Sequence, residues 1–129
     1  MSDSIALGPG REFDVIRDLV RRWGDSARGI GDDAAILDVP AGSRLLASTD
    51  ATVENVHFRD GWLQPDEIGY RAAAAALSDL AAMAATPIAM LVAMCVPEQW
   101  RQQLAGIAEG IGEASRSFHA PITGGNLTR

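Results

Sequence analysis

Acidic residues in this sequence gather beside turns and at the ends of predicted strands. Asp32 and Asp33 follow Gly29-Ile30-Gly31, Asp50 follows Ser48-Thr49, and Asp79 lies inside Leu77-Ser78-Asp79-Leu80. Carboxylates at three such places in one small domain suit a divalent cation of the Mg²⁺ type, which takes hard oxygen ligands and keeps waters and substrate phosphates in its shell. Each acid also has a plainer reading. Asp32-Asp33 equally reads as a turn leading into a strand, and Asp50 as a solvated turn acid. Asp79 stands among Leu77, Leu80, Ala81 and Ala82, so the pattern predicts a buried acid, costly unless a ligand or a structural partner satisfies it. Gly124-Gly125 after a predicted strand offers backbone N–H groups that could approach a phosphate, or a plain turn. His57 and His119 are not spaced as a metal pair, and His57 beside Phe58 reads as a packed or surface residue.

Several chemistries are excluded. The sequence has no Gly-x-x-x-x-Gly-Lys-Ser/Thr loop, no nucleophile elbow and no kinase-type glycine-rich loop. Cys95 is the single cysteine, so neither an intramolecular disulfide nor a cysteine-based zinc site can form, which fits a reducing compartment and makes cytoplasm the expectation. Eleven Lys and Arg against seventeen Asp and Glu give a net charge of −6, the wrong sign for nucleic acid or anionic lipid. A polyanionic ligand would therefore need bound cations. The longest clean apolar run, Ile88 to Val96, is far short of the ~20 residues that span a bilayer, and no signal pattern opens the chain.

These residues must be positioned by one domain, since 129 residues at 47% hydrophobic fall within the ~100–200 residues of a single domain. Met1 to Gly10 reads as a flexible arm and residues 11–129 as the folded domain. Phe13, Ile16, Leu19, Val20 and Trp23 recur at helical spacing and predict an amphipathic helix ending at Gly24. Strands are predicted over Ala34 to Val39 and Arg44 to Thr49, paired as a hairpin around Pro40-Ala41-Gly42-Ser43, with a third over Asp50 to Phe58. Gln64-Pro65-Asp66-Glu67 starts a helix running to about Ala85, whose Ala-rich stretch permits close approach of a neighbour. Ile88 to Val96 suits a strand buried on both faces. A helix opens at Pro97 with Trp100, Leu104, Ile107, Ile111 and Ala114 on one stripe, and His119 to Thr123 is a strand running into Gly124-Gly125. The order helix, three strands, helix, strand, helix, strand predicts an α+β fold with helices on one face of a mixed sheet.

Taken in order, Gly29-Ile30-Gly31-Asp32-Asp33-Ala34-Ala35-Ile36-Leu37, Ser48-Thr49-Asp50, Val53-Glu54-Asn55-Val56-His57-Phe58, Leu77-Ser78-Asp79-Leu80-Ala81-Ala82-Met83 and Gly124-Gly125 resemble the first half of the thiamine-monophosphate kinase family. Gly10-Arg11-Glu12-Phe13 ahead of an amphipathic helix matches as well. The fold is shared with aminoimidazole ribonucleotide synthetase, selenophosphate synthetase and a hydrogenase maturation factor. The resemblance implies ATP-dependent phosphorylation of thiamine monophosphate to thiamine diphosphate, and a homodimer in which the sheets of two subunits pair. It implies that Asp33, Ser48, Thr49, Asp50 and Asp79 hold several Mg²⁺ ions, that His57 contacts the thiamine substrate, and that Gly125 and Asn126 lie at the ATP phosphates.

The sequence departs from the family pattern in three places. Gly124-Gly125-Asn126-Leu127-Thr128 stands where the family has Gly-Gly-Asp-Thr-Thr, replacing a charged ligand by an amide. Ala76 and Ala84 stand where the family helix carries Asn and Gly. Family members continue into a second α/β domain, and the sequence ends at Arg129, so the domain is expected to be incomplete alone. Two other readings remain: a non-catalytic dimerisation or nucleotide-binding module, and another ATP-dependent enzyme of the same superfamily.

Overall fold

The computed structural model describes residues 10–128. Of the arm expected over Met1 to Gly10, all but Gly10 lies outside the described residues. Helix α1, Arg11–Trp23, carries Glu12 and Asp14 in its first turn and Arg21 and Arg22 in its last, each complementing the helix dipole. Its apolar stripe buries Leu19 and Trp23, and Gly24 at φ 54° ends it. Helix α2, Pro65–Ala82, is fixed at its start by a capping box in which the Gln64 N–H donates to Glu67 Oε2 at 2.7 Å. Strand β1, Met90–Cys95, is followed by a 3₁₀ turn, Glu98–Trp100, then helix α3, Leu104–Phe118, and strand β2, Ile122–Thr128.

β1 and β2 pair in parallel with α3 as the crossover, a βαβ unit. The helices lie on one face of this sheet. Met90, Val92 and Met94 of β1 pack against a core of Leu19, Trp23, Ala73, Ala108, Ile111, Ala114 and Ile122. The intervening Leu91, Ala93 and Cys95 are exposed. The core is stitched by Trp23 Nε1–H donating to the Ala108 carbonyl at 2.9 Å. A second cluster joins Phe58, Ile68 and Trp100, with the two rings edge to face at 5.6 Å.

α2 and α3 meet backbone to backbone. A Cβ at Gly110 would lie 1.8 Å from the Asp66 carbonyl oxygen, and one at Gly69 would lie 1.9 Å from that of Ile107. The close approach anticipated from the Ala-rich stretch is thus made at the other end of α2, by Gly69 there and by Gly110 of α3.

The structure corrects several expectations. The predicted strands Ala34 to Val39, Arg44 to Thr49 and Asp50 to Phe58 do not form, although the turn between the first two does, with Ser43 N–H donating to Pro40 at 3.1 Å. Apart from Phe58, most of their apolar side chains lack a surface to pack against: Ile36 is 88% exposed and Val56 74%. β-Branched and aromatic residues favour a strand only where a neighbouring surface receives them. The sheet is therefore parallel and two-stranded rather than mixed. β1 is not buried on both faces but alternates, because among the described residues no second layer covers Leu91. α2 ends at Ala82, ahead of Thr86-Pro87, and Ala84 at φ 53° turns the chain out. Pro97 opens a 3₁₀ turn rather than α3, so Trp100 leaves the predicted stripe for the second cluster. Gly124-Gly125 lies inside β2 instead of after it, and His119 at φ 53° caps α3. Among the described residues, no helix is long and apolar enough to cross a membrane.

Candidate functional site

The exposed side of α2 organises the site. Residues 71, 75 and 79 are spaced four apart and form one ridge, because i and i+4 positions of a helix lie one above the other. The chain from Ser48 to Phe58 runs along this ridge towards the start of α2. At one end, Ser48 Oγ donates to Asp79 Oδ2 at 3.0 Å, joining two residues 31 apart in sequence. At the other end, Asp50, Thr52, His57, Arg71 and Ala75 line a cleft of about 90 Å³, floored by Phe58 and Ile68. Phe58 is the anchor, since its burial against Trp100 fixes the neighbouring His57.

Asp79 is exposed, which overturns the expectation of a costly buried acid. The helix hides Ala73 and Leu77 and turns Asp79 outward, so its apolar neighbours Leu80, Ala81 and Ala82 do not enclose it. Asp50 is exposed and its Oδ1 accepts the Ala51 N–H at 2.8 Å. In the tight turn at Asp32-Asp33, the Asp33 N–H donates to Asp32 Oδ1 at 2.8 Å. That turn is held against β2: Arg28 N–H donates to the Ile122 carbonyl at 2.8 Å, and a Cβ at Gly124 would lie 3.7 Å from Ala35 Cβ. Asp33 therefore belongs with Gly124, Gly125 and the exposed Asn126 at the β2 side, while Ser48, Thr49, Asp50 and Asp79 belong with α2.

His57 Nδ1 accepts the Val53 N–H at 3.0 Å. A neutral ring held this way carries its proton on Nε2 and presents it as a donor. Asn55 at φ 63° makes the turn that closes this bond. Gly125 has a structural reason to be glycine: a Cβ there would sit 1.9 Å from the Val92 carbonyl oxygen, at φ 152°.

The donor set is oxygen throughout, which is the chemistry Mg²⁺ prefers. Among the described residues, however, no three His, Cys, Asp or Glu side chains converge to hold a metal ion. The Ser48–Asp79 pair is the part of the expected cage that is assembled. Arg71 was not among the residues singled out in the sequence; its i, i+8 relation to Asp79 was the signal available. A larger cleft of about 710 Å³ between α1, α3 and the ends of the strands, lined by Arg11, Asp18, Arg101 and Leu127 among others, holds none of these site residues.

The chain thus combines a βαβ unit, with helices on one face, and oxygen donors along an exposed helix ridge. Residues 31–129 match the family described as AIR synthase related protein, N-terminal domain, and the chain belongs to that family. Within it, the chain is similar to proteins named thiamine-monophosphate kinase. It is 46% identical over 103 residues to that of Synechococcus elongatus, covering 77% of this chain and 31% of the relative. It is 35% identical over 119 residues to that of Bacillus subtilis, covering 89% and 37%, and 33% identical over 119 residues to that of Escherichia coli K12, covering 86% and 36%. The chain thus spans about a third of the length of these relatives. The motif resemblance drawn from the sequence is borne out.

Proposed function

We propose that this chain supplies the Mg²⁺ and nucleotide half of an enzyme that transfers the γ-phosphoryl group of ATP to thiamine monophosphate, giving thiamine diphosphate in the cytoplasm. The observation that carries the reading is the Ser48–Asp79 contact beside the Asp50–His57 cleft, in a chain similar to thiamine-monophosphate kinases. Asp33, Ser48, Thr49, Asp50 and Asp79 would hold the Mg²⁺ ions, and Gly125 and Asn126 would lie at the ATP phosphates. Bound Mg²⁺ would neutralise charge on the transferring group, which a chain of net charge −6 cannot do alone. The acceptor is already an oxyanion, so no general base is required of the protein. The residues' task is positioning, and His57 Nε2–H would serve as a donor to the acceptor.

Calorimetric titration with ATP, with and without Mg²⁺, tests this. Parent protein should bind ATP in a Mg²⁺-dependent way, and Asp79→Asn and Asp50→Asn should weaken that binding while the melting temperature stays put. Equal binding by parent and both variants would remove the cage.

The assembly is a homodimer in this reading. Exposed Leu91, Ile36, Leu45, Val53 and Val56 present apolar surface, and the extended segments carrying Ile36 and Leu45 have no ladder partners among the described residues. Such a surface invites pairing with a second copy. Sedimentation at micromolar concentration should give about twice 13.6 kDa, and a clean monomer would sink the assembly.

A further inference from the structure

Among the arginines with no hydrogen-bond or ion-pair partner among the described residues, Arg71 is the one that lines the α2 cleft. Arg22 and Arg101 are paired with acids, and Arg59 lies over the Trp62 ring at 5.3 Å. Arg71 makes no hydrogen bond or ion pair among the described residues, yet it lines the cleft that His57 also lines. With Nδ1 taken by the Val53 N–H, His57 contributes an Nε2–H donor to the same region. At about 90 Å³ the cleft is far below the roughly 300–1,000 Å³ of pockets that enclose a whole small molecule. It has the size for one end group of a ligand; Arg71 and His57 give it two donors for an oxyanion, one of them permanently cationic, while Asp50 on the same wall would need a cation between it and that group.

We infer that Arg71 anchors the phosphate group of the acceptor substrate, with His57 as the second donor. The inference rests on the proposed function and adds to it a residue that distinguishes a phosphorylated acceptor from an unphosphorylated one. A phosphate could come from the acceptor or from the nucleotide, and position on the α2 ridge separates them. Asp79 lies eight residues on, about 12 Å along the helix at ~1.5 Å per residue. The end at Ser48 and Asp79 has no cation of its own and needs one to accept polyphosphate, whereas at the other end Arg71 stands opposite the charge of Asp50 and gives the cleft a permanent cation. The guanidinium fork also suits two oxygens of one phosphate better than the point charge of a lysine would.

Calorimetry with four probes, thiamine monophosphate, thiamine, ATP and inorganic phosphate, tests the inference on the parent chain, Arg71→Gln and Arg71→Lys. Arg71 is exposed, so both variants should melt as the parent does. The parent should prefer thiamine monophosphate over thiamine by about tenfold or more, on the scale of a charge-assisted bidentate contact. Arg71→Gln should erase that preference without changing thiamine or ATP affinity, and Arg71→Lys should restore part of it. A purely structural role for Arg71 would move none of these ratios. The inference is overturned if Arg71→Gln keeps the preference, or if it weakens ATP and spares thiamine monophosphate. If the parent binds neither thiamine compound but binds inorganic phosphate through Arg71, the anion anchor stands and the thiamine reading falls.

Discussion

The α2–α3 pair and the segment from Gly31 to Leu63 use similar amounts of chain and reach opposite outcomes. In the helical pair, glycines bring carbonyl oxygens to within a Cβ's width of the neighbouring backbone, and Ala108, Ala114 and Ile122 are sealed beneath. In the segment, most apolar side chains stay exposed, Phe58 being the exception, and no strand forms. Composition does not separate them. The difference is that each helix satisfies its own backbone groups and then finds a face within the chain, whereas an extended segment needs a neighbour for both backbone and side chains. The residues with chemical potential, Asp33, Ser48, Thr49, Asp50 and His57, all lie on the part that is not self-sufficient. The helix that is self-sufficient contributes Asp79 and Arg71 as fixed points.

The strongest way to break this contrast is to put a methyl group into the glycine contact. Gly110→Ala should cost about 3 kcal/mol or more, the upper end for overpacking, because a backbone carbonyl cannot rotate away as a side chain would. Ile36→Ser, in the exposed segment, should change monomer stability by less than about 0.5 kcal/mol. Urea denaturation of both variants checks this, and similar losses would mean that the helical pair is no more tightly determined than the segment.

A smaller effect is expected at the joint between α1 and α3. Trp23→Phe keeps most of the buried area but removes the donor to the Ala108 carbonyl, and should cost about 1–2 kcal/mol, the range for losing a buried hydrogen bond and stranding part of its partner's capacity. Trp23 is also 3.0 Å from where a Cβ at Gly112 would be, so Gly112→Ala in the Trp23→Phe background should be non-additive. Strict additivity, measured by the same denaturation, would show that the indole and Gly112 do not share a contact.

Helices with a one-sided stripe or a start signal were legible in the sequence, as α1 and the Gln64-Pro65-Asp66-Glu67 start of α2 illustrate. So was the turn at Pro40 to Ser43. The strands of the segment were not, because periodicity reports what a segment would bury and not whether a surface exists to bury it. Asp79 was misread for a related reason: the flanking Leu80, Ala81 and Ala82 suggested enclosure, but the helix turns its buried side to Ala73 and Leu77. The Gly124-Gly125 pair signalled a special backbone, correctly, yet the requirement met at Gly125 is contact with Val92 across the ladder. The site's residue types were visible one by one; their division between the β2 side and the α2 ridge was not, since it depends on contacts between residues far apart in sequence.

The end of α2 offers a gain in stability instead of a loss. Ala84 adopts φ 53°, a left-handed conformation that costs a residue with a Cβ about 1–2 kcal/mol. Glycine removes that cost and returns part of it as unfolded-state entropy, so Ala84→Gly should stabilise by about 0.5–1 kcal/mol. Asn55→Gly, at φ 63°, should gain less, since asparagine tolerates this region. Thermal melts of the two variants rank them, and a loss at Ala84→Gly would mean the turn is held by contacts of the methyl group.

The smallest effect belongs to the ion pairs that tie α1 to α3. Arg22 Nε donates to Asp18 Oδ2 at 2.8 Å and Nη1 to Glu109 Oε1 at 3.1 Å, the second bond crossing between helices. Hydrogen bonds from Arg22 to Asp18 and then Glu109 hold the guanidinium above its ordinary range. A raised pKa on a base contributes stability that is fully present below the unfolded value and lost only as pH rises through the folded one. Both lie far above neutrality, so titration of Arg22 itself should leave stability flat between about pH 6 and 9. The side chain is 34% exposed, and solvent screens such a pair. Arg22→Gln should therefore lower the melting temperature slightly at low salt, and the difference should close near 1 M salt, where the screening length falls to about 3 Å. A difference that persists at high salt would assign the effect to packing of the Arg22 stem against α3, and the joint between these helices would then rest on Trp23 and its neighbours without help from charge.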